Sequence, residues 1–250
     1  LLIASATQGS QWDEFSDWLV IPRYLYASDH LPSAINPYPA ANYIGYPFSW
    51  HFINYLASHI AEKFLENVGP LFNILLLFAF SLVILNVVDH IFGGDHRLKR
   101  KSWSIIALVG LATTLFNPTF AQKIVLTSYA YTSTSVVTGF AVVLAWFTLE
   151  GLSEGNRKGT RNYAFQLSMS LVILVNLKQA TFAIFGLIIL GFLLTAYRDR
   201  SIAFVAAAKI ILAAIIPALC TYLAWRHYVS SELARGEMGL RPFNSWYIQH

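Results

Sequence analysis

The chain has 250 residues, 56% of them hydrophobic and 12% charged, with a formal net charge of +4 and a mean hydropathy of +0.52. Soluble domains carry about 25% charged residues, so a large soluble protein with a greasy core is excluded and an integral membrane protein is indicated. The positive charge is small and unevenly placed, which argues against nucleic acid as a partner, and the single cysteine, Cys220, builds no disulfide framework.

Leu1-Leu2-Ile3-Ala4 reads as the tail of an interrupted apolar helix, and Asn244–His250 carries no stop pattern. The chain therefore reads as an internal segment of a longer protein, with residues 1–69 forming a loop, 70–225 a transmembrane bundle and 226–250 the start of a further outer segment. In the loop, Phe15, Trp18, Leu19, Ile21, Pro22, Tyr24, Leu25 and Tyr26 make an aromatic amphipathic stretch too short to span. Trp50–Leu65 is a second one. Trp and Tyr favour the headgroup zone, so both predict juxtamembrane helices lying on the membrane face. Pro32, Pro37, Pro39 and Pro47 enforce turns or extended chain between them.

Six apolar runs approach the roughly 17–25 residues that a spanning helix needs: 70–92, 103–121, 128–149, 163–177, 179–197 and 202–225. Asn117-Pro118 ends or kinks the second. Only Lys178 separates the fourth from the fifth, which predicts a tight helical hairpin or one broken segment. Three connectors are basic: Arg97, Lys99, Arg100 and Lys101 in the first, Arg157, Lys158 and Arg161 in the second, Arg198 and Arg200 in the third. With six spans they share one side, the cytoplasm by the excess of Lys and Arg. Residues 1–69, the Lys178 turn and 226–250 then lie outside. The expected fold is an all-α polytopic membrane helix bundle with extracytoplasmic juxtamembrane helices.

Chemistry concentrates in Gln11-Trp12-Asp13-Glu14-Phe15-Ser16-Asp17-Trp18, with three acids in five residues at the mouth of the first amphipathic helix. A helix cap is one reading, since an acid there satisfies orphan amides. A carboxylate that takes the proton of an acceptor hydroxyl is the other. Lys178 reads either as a snorkelling lysine or as an ammonium aimed at a lipid phosphate. Lys209 reads as snorkelling, and Asp89-His90 as a cap at the inner end of the first span. His51, His59, His90 and His96 share no helical face, so no metal site is expected and no cofactor is implied.

Trp12-Asp13-Glu14-Phe15-Ser16, Ile21-Pro22-Arg23-Tyr24-Leu25, His30-Leu31-Pro32 and Tyr46-Pro47-Phe48 together resemble the first extracytoplasmic loop of bacterial GT-C type membrane glycosyltransferases. Ser128-Tyr129-Ala130-Tyr131 and Leu177-Lys178-Gln179-Ala180 are similar to two further elements of that superfamily, and Tyr222–Trp225 with Pro242–Trp246 to the entry of a later outer loop. Tyr131 stands where relatives often carry an acid, and Phe48 replaces a second proline. The resemblance implies a GT-C-like bundle in the bacterial inner membrane that moves a sugar from a polyprenyl-phosphate donor to an acceptor. Asp13 or Glu14 would be the general base, and Lys178, Tyr46, Tyr131 and Arg23 would bind the donor. The alternative is a multi-span transporter or lipid flippase, a class that places ionisable residues near the middle of its spans. Here the spans are almost free of acids and the charges collect at the outer face, among membrane lipids, which favours interfacial chemistry.

Overall fold

The structure is a computed structural model that describes residues 8, 9, 11, 13–33, 45–92, 108–110, 112 and 126–233. Among these residues the protein is an all-α bundle without strands. Most of the run 103–121, including Asn117-Pro118, together with the basic residues Arg97–Lys101, His96, Tyr38-Pro39 and the segment 234–250, lies outside the described residues.

A five-residue π-helical turn, Glu14–Trp18, leads into helix α1, Val20–Ser28. The Leu19 amide donates to the Glu14 carbonyl at 2.8 Å, which makes the turn one residue wider than an α-turn. Pro22 follows and has no N–H to offer the Trp18 carbonyl, so the α register starts only after this point. Helix α2 covers Ser49–Ile60. Both amphipathic stretches thus form helices, but their apolar faces are not simply laid on lipid. Ile21, Leu25 and Phe48 are almost fully buried, packed with Tyr24, Phe52, Tyr55 and Trp225 into a small core of their own. Leu56 and Ile60 on α2 do remain exposed.

Among the described residues, four helices are long and apolar enough to cross a membrane: α3 (Val68–Phe92), α4 (Tyr131–Ser153), α6 (Thr181–Arg198) and α7 (Phe204–Tyr228). Leu75, Phe78, Leu187, Leu190, Leu194, Leu212 and Leu223 stand exposed on their outer faces, as expected of helices apolar all round that meet lipid on one side and protein on the other. Where helices meet, Ala141, Ala145, Ala207, Ala214 and Ala218 are buried, and small residues allow backbones to approach closely.

The fourth expected span differs. Helix α5 begins at Arg157 rather than near residue 163 and runs to Val175. Its first two turns carry Arg157, Lys158 and Arg161, so these cations are helical and do not sit in a loop. Asn156 makes this possible, its side-chain oxygen accepting the Gly159 N–H at 3.0 Å. Just before it, Gly155 adopts a left-handed φ of 70°, and the Asn156 N–H returns to the Gly151 carbonyl at 2.9 Å, closing α4. The C-terminal part of α5 is the lining of the bundle, with Leu167, Leu171, Leu174 and Val175 buried against α4 and α7.

Helices α3 and α4 run parallel. Asn73 donates to the Thr127 and Tyr129 carbonyls (both 3.2 Å) at one end, Phe80 meets Phe140 midway, and His90 pairs with Glu150 (2.8 Å) at the other. The Asp89 cap expected beside His90 cannot be placed among the described side chains. Asn176–Ala180 joins α5 to α6 as a tight hairpin, as expected of the Lys178 turn. Its geometry is held by the Thr181 hydroxyl, which lies 2.5 Å from both the Leu174 and the Lys178 carbonyls. The result is two distinct ends. The π turn, α1, α2, Tyr129 and the Lys178 turn gather at one, and Arg157, Lys158, Arg161, Arg198 and Arg200 lie at the other.

Candidate functional site

The acids at the start of the chain do not share one role. Glu14 is 1% exposed. One of its oxygens accepts the Gln11 N–H at 3.0 Å, three residues back, as the acid of a capping box does. The other accepts the Ser128 N–H at 2.6 Å, so the carboxylate clasps the π turn to the strand of chain that enters α4. Asp13, its neighbour, is exposed, and its side chain makes no capping hydrogen bond. The cap expected of this pair is therefore supplied by Glu14. Adjacent residues on a helical turn point about 100° apart, which is why one carboxylate faces protein and the other solvent.

Ser128 is held from several sides. Its carbonyl accepts the Trp50 indole N–H at 2.7 Å, and its Cα lies where a Cβ on Gly69 would come within 2.8 Å. Only glycine lets α3 start this close. The Ser128 hydroxyl reaches the Glu66 carbonyl at 3.4 Å.

Lys178 is brought to the same place from the α5–α6 turn. It is 9% exposed, and its ammonium sits 3.3 Å from the centroid of the Tyr131 ring and 5.2 Å from that of Trp18. Two aromatic faces thus substitute for part of its lost hydration. Burial lowers its pKa to about 8, with Asp13 and Asp17 pulling in the opposite direction. Both carboxylates therefore lie within electrostatic range of the ammonium. Tyr129 completes the group. Burial and then the charges of Asp13 and Glu14 raise its phenol to about 12, so it stays a neutral donor at any physiological pH.

The loop ahead of α2 reaches this cluster through one carbonyl. Gly45 accepts the Gln179 side-chain amide at 3.0 Å and the Trp225 indole at 3.1 Å. Tyr46, next to Gly45, is consequently anchored beside the Lys178 turn. Arg23 is engaged elsewhere: it forms an ion pair with Glu66 and lies over the Phe64 ring, while Glu66 also accepts the Gly9 N–H at 3.1 Å. Asp13, Lys178 and Tyr131 thus share one region, with the backbone ahead of Tyr46 tied to the Lys178 turn through Gly45, and Arg23 belongs to a separate clip between α1 and the α2–α3 connector.

Three residues of the site were not singled out from the sequence. Asp17 and Trp18 are visible there only as part of an acidic, aromatic run. His51 sits on the buried face of α2, stacked on Trp18 with centroids 5.3 Å apart and edge-on to Phe48. Among the described residues neither of its ring nitrogens has a hydrogen-bond partner, and burial lowers its pKa to about 3. A cavity of about 10 Å³ lies between His51, Asn54 and Ser128, room for a single water. Among the described residues no three His, Cys, Asp or Glu side chains come together as metal ligands.

What the arrangement offers is an exposed carboxylate, a half-desolvated ammonium and a phenol donor converging at one end of a membrane bundle. No family model, curated protein or solved structure matches this chain.

Proposed function

We propose that the protein is a membrane glycosyltransferase that moves a sugar from a polyprenyl-phosphate donor to an acceptor at the extracytoplasmic face, on a GT-C-like bundle. The observation that carries this reading is the convergence of Asp13 and Lys178, far apart in the chain, at the bundle end opposite the basic connectors. The acceptor hydroxyl gives its proton to the Asp13 carboxylate as its oxygen bonds to the anomeric carbon. The bond from that carbon to the phosphate oxygen breaks, and the lipid phosphate departs with the electron pair. Lys178 neutralises the charge growing on that phosphate, and Tyr129 and Tyr131 flank it. Glu14 holds the turn that carries Asp13, so it acts as a positioning residue in this scheme. By the same reading the basic connectors face the cytoplasm of a bacterial inner membrane.

The test is turnover of a radiolabelled polyprenyl-phosphate sugar by the purified protein in liposomes with a hydroxyl-bearing acceptor lipid. Release of polyprenyl phosphate with label on the acceptor, lost in Asp13→Asn, is the expected result. Movement of intact donor across the bilayer without cleavage would overturn the proposal in favour of a flippase.

A further inference from the structure

At the basic end of the bundle, α5 and α7 diverge and leave a groove of about 620 Å³. Its walls are mostly apolar, and its floor is closed where the Ser168 hydroxyl donates to the Ala214 carbonyl at 2.9 Å. Along α7 the groove extends from Ala203 to Pro217, about 20 Å at 1.5 Å per residue. Half of a hydrocarbon core about 30 Å thick is about 15 Å, so the groove runs through one leaflet, from its surface to beyond its depth.

The open end is cationic. Arg157 and Arg161 line it, and among the described residues neither forms an ion pair. Lys158 lies one residue away on the outer side of the same turn. Three cations in the first turns of α5 are poorly placed for the helix itself, whose N-terminus already carries positive potential. Glu154 and Asp199, acids of the neighbouring connectors, do not line the groove. An anion at this position would relieve the repulsion, and a guanidinium pair suits a phosphate through bidentate hydrogen bonds.

We infer that the groove between α5 and α7 binds an anionic glycerophospholipid of the surrounding bilayer, its phosphate on Arg157 and Arg161 and one acyl chain laid toward Pro217. Charge complementarity selects an anionic headgroup, and the length and apolar lining select a chain rather than a free phosphate ion. The inference rests on the bundle spanning a membrane and is independent of the proposed sugar transfer.

The experiment is native mass spectrometry of the full chain in neutral detergent, titrated separately with phosphatidylglycerol, phosphatidylcholine and inorganic phosphate. Phosphatidylglycerol is expected to bind at least tenfold more tightly than phosphatidylcholine, and inorganic phosphate not to displace it. The double variant Arg157→Ala/Arg161→Ala is expected to lose that preference, and the double lysine variant to keep part of it. Ala213→Phe, on the exposed wall of the groove, fills the chain path without touching the core and is expected to weaken binding with both arginines intact. Equal binding of the two lipids, displacement by phosphate alone, or phosphatidylglycerol affinity unchanged in Ala213→Phe would each overturn the assignment. Should the arginine variant fail to fold, Ala213→Phe and the headgroup comparison decide the matter.

Discussion

The carboxylate of Glu14 accepts the backbone N–H of Ser128 at 2.6 Å across 114 positions of chain. This bond fixes the π turn near the start of the chain to the start of α4, and it does so at the junction where Trp50 and Gly69 also converge on Ser128. The reactive-looking pair Asp13-Glu14 is thereby divided into a buried fastener and an exposed carboxylate.

Replacing Glu14 separates the two roles. In Glu14→Gln one oxygen still accepts an amide, but the new NH2 faces a second donor. Hydrogen bonds to a charged group contribute about 1.5–3 kcal/mol each, so a lowered Tm is expected, with Glu14→Ala worse. Asp13→Asn, changing an exposed group, is expected to keep Tm and lose about 10²–10⁴-fold in transfer rate. An unchanged Tm in Glu14→Ala would remove the clasp from the account.

Lys178 makes opposite predictions for binding and for stability. Its pKa in the folded protein is about 8, below the 10.5 of an unperturbed lysine. Between these values the unfolded chain holds the extra proton, so folding stability rises with pH across this window. Donor affinity is expected to fall over the same range, by up to about tenfold per pH unit above 8, because only the ammonium binds phosphate. Lys178→Arg is expected to flatten that fall, and Lys178→Ala to weaken donor binding at every pH. Donor titrations at pH 7, 8 and 9 measure all three; affinity independent of pH and of substitution would leave Lys178 as a helix-end anchor.

Much of the bundle is legible in the chain, because apolar runs and basic connectors report directly on lipid contact and on helix ends. The Lys178 hairpin follows from two apolar runs with one cation between them. The start of α5 is misread because Arg157-Lys158-Gly159 has the composition of a loop, while the deciding feature is one hydrogen bond from the Gly159 N–H to Asn156. Within the site, spacing alone does not distinguish Asp13 from Glu14. What tells them apart is the partner at Ser128, and no local pattern announces a contact so distant. The same holds for Trp18 and Tyr131 around Lys178. The resemblance assigns Arg23 to donor binding, yet its partner Glu66 lies beyond the next helix.

Arg23→Ala tests that assignment. The pair is substantially exposed, and such pairs contribute about 0–1 kcal/mol, so a small fall in Tm and an unchanged donor affinity are expected. A tenfold weaker affinity at constant Tm would return Arg23 to the donor site.

Acid sensitivity is expected from His51. Buried and held near pKa 3, it stays neutral while the unfolded chain takes up a proton below about 6.5. Stability is therefore complete above pH 6.5 and declines as pH falls toward 3. His51→Phe keeps the stack on Trp18 and removes the titration, so its Tm between pH 4 and 7 is expected to vary less than that of the wild type. Parallel pH profiles would assign the acid loss to other groups.

Topology is testable by single cysteines in a Cys220→Ala background. Cysteines at Ser33 and Ser231 are expected to react with an impermeant thiol reagent added outside cells, and one at Gly159 to react only after permeabilisation. The reverse labelling would turn the proposed site to the cytoplasm.

The wide π turn at Glu14–Trp18 has a consequence for how this loop tolerates insertions and deletions. Removing one residue there, Ser16 for instance, would let the turn close to ordinary α pitch while the apolar face of α1 kept its place. Four residues at about 100° each turn the chain nearly as far as five in the wider turn, so everything ahead of the deletion keeps its direction and Asp13 and Glu14 stay near Lys178 and Ser128. The π turn is thus the place where this loop absorbs one residue more or less, whereas a deletion from a turn already at α pitch would swing the pair by about 100°. A related chain one residue shorter at this turn is therefore expected to assemble the same cluster on an ordinary α turn.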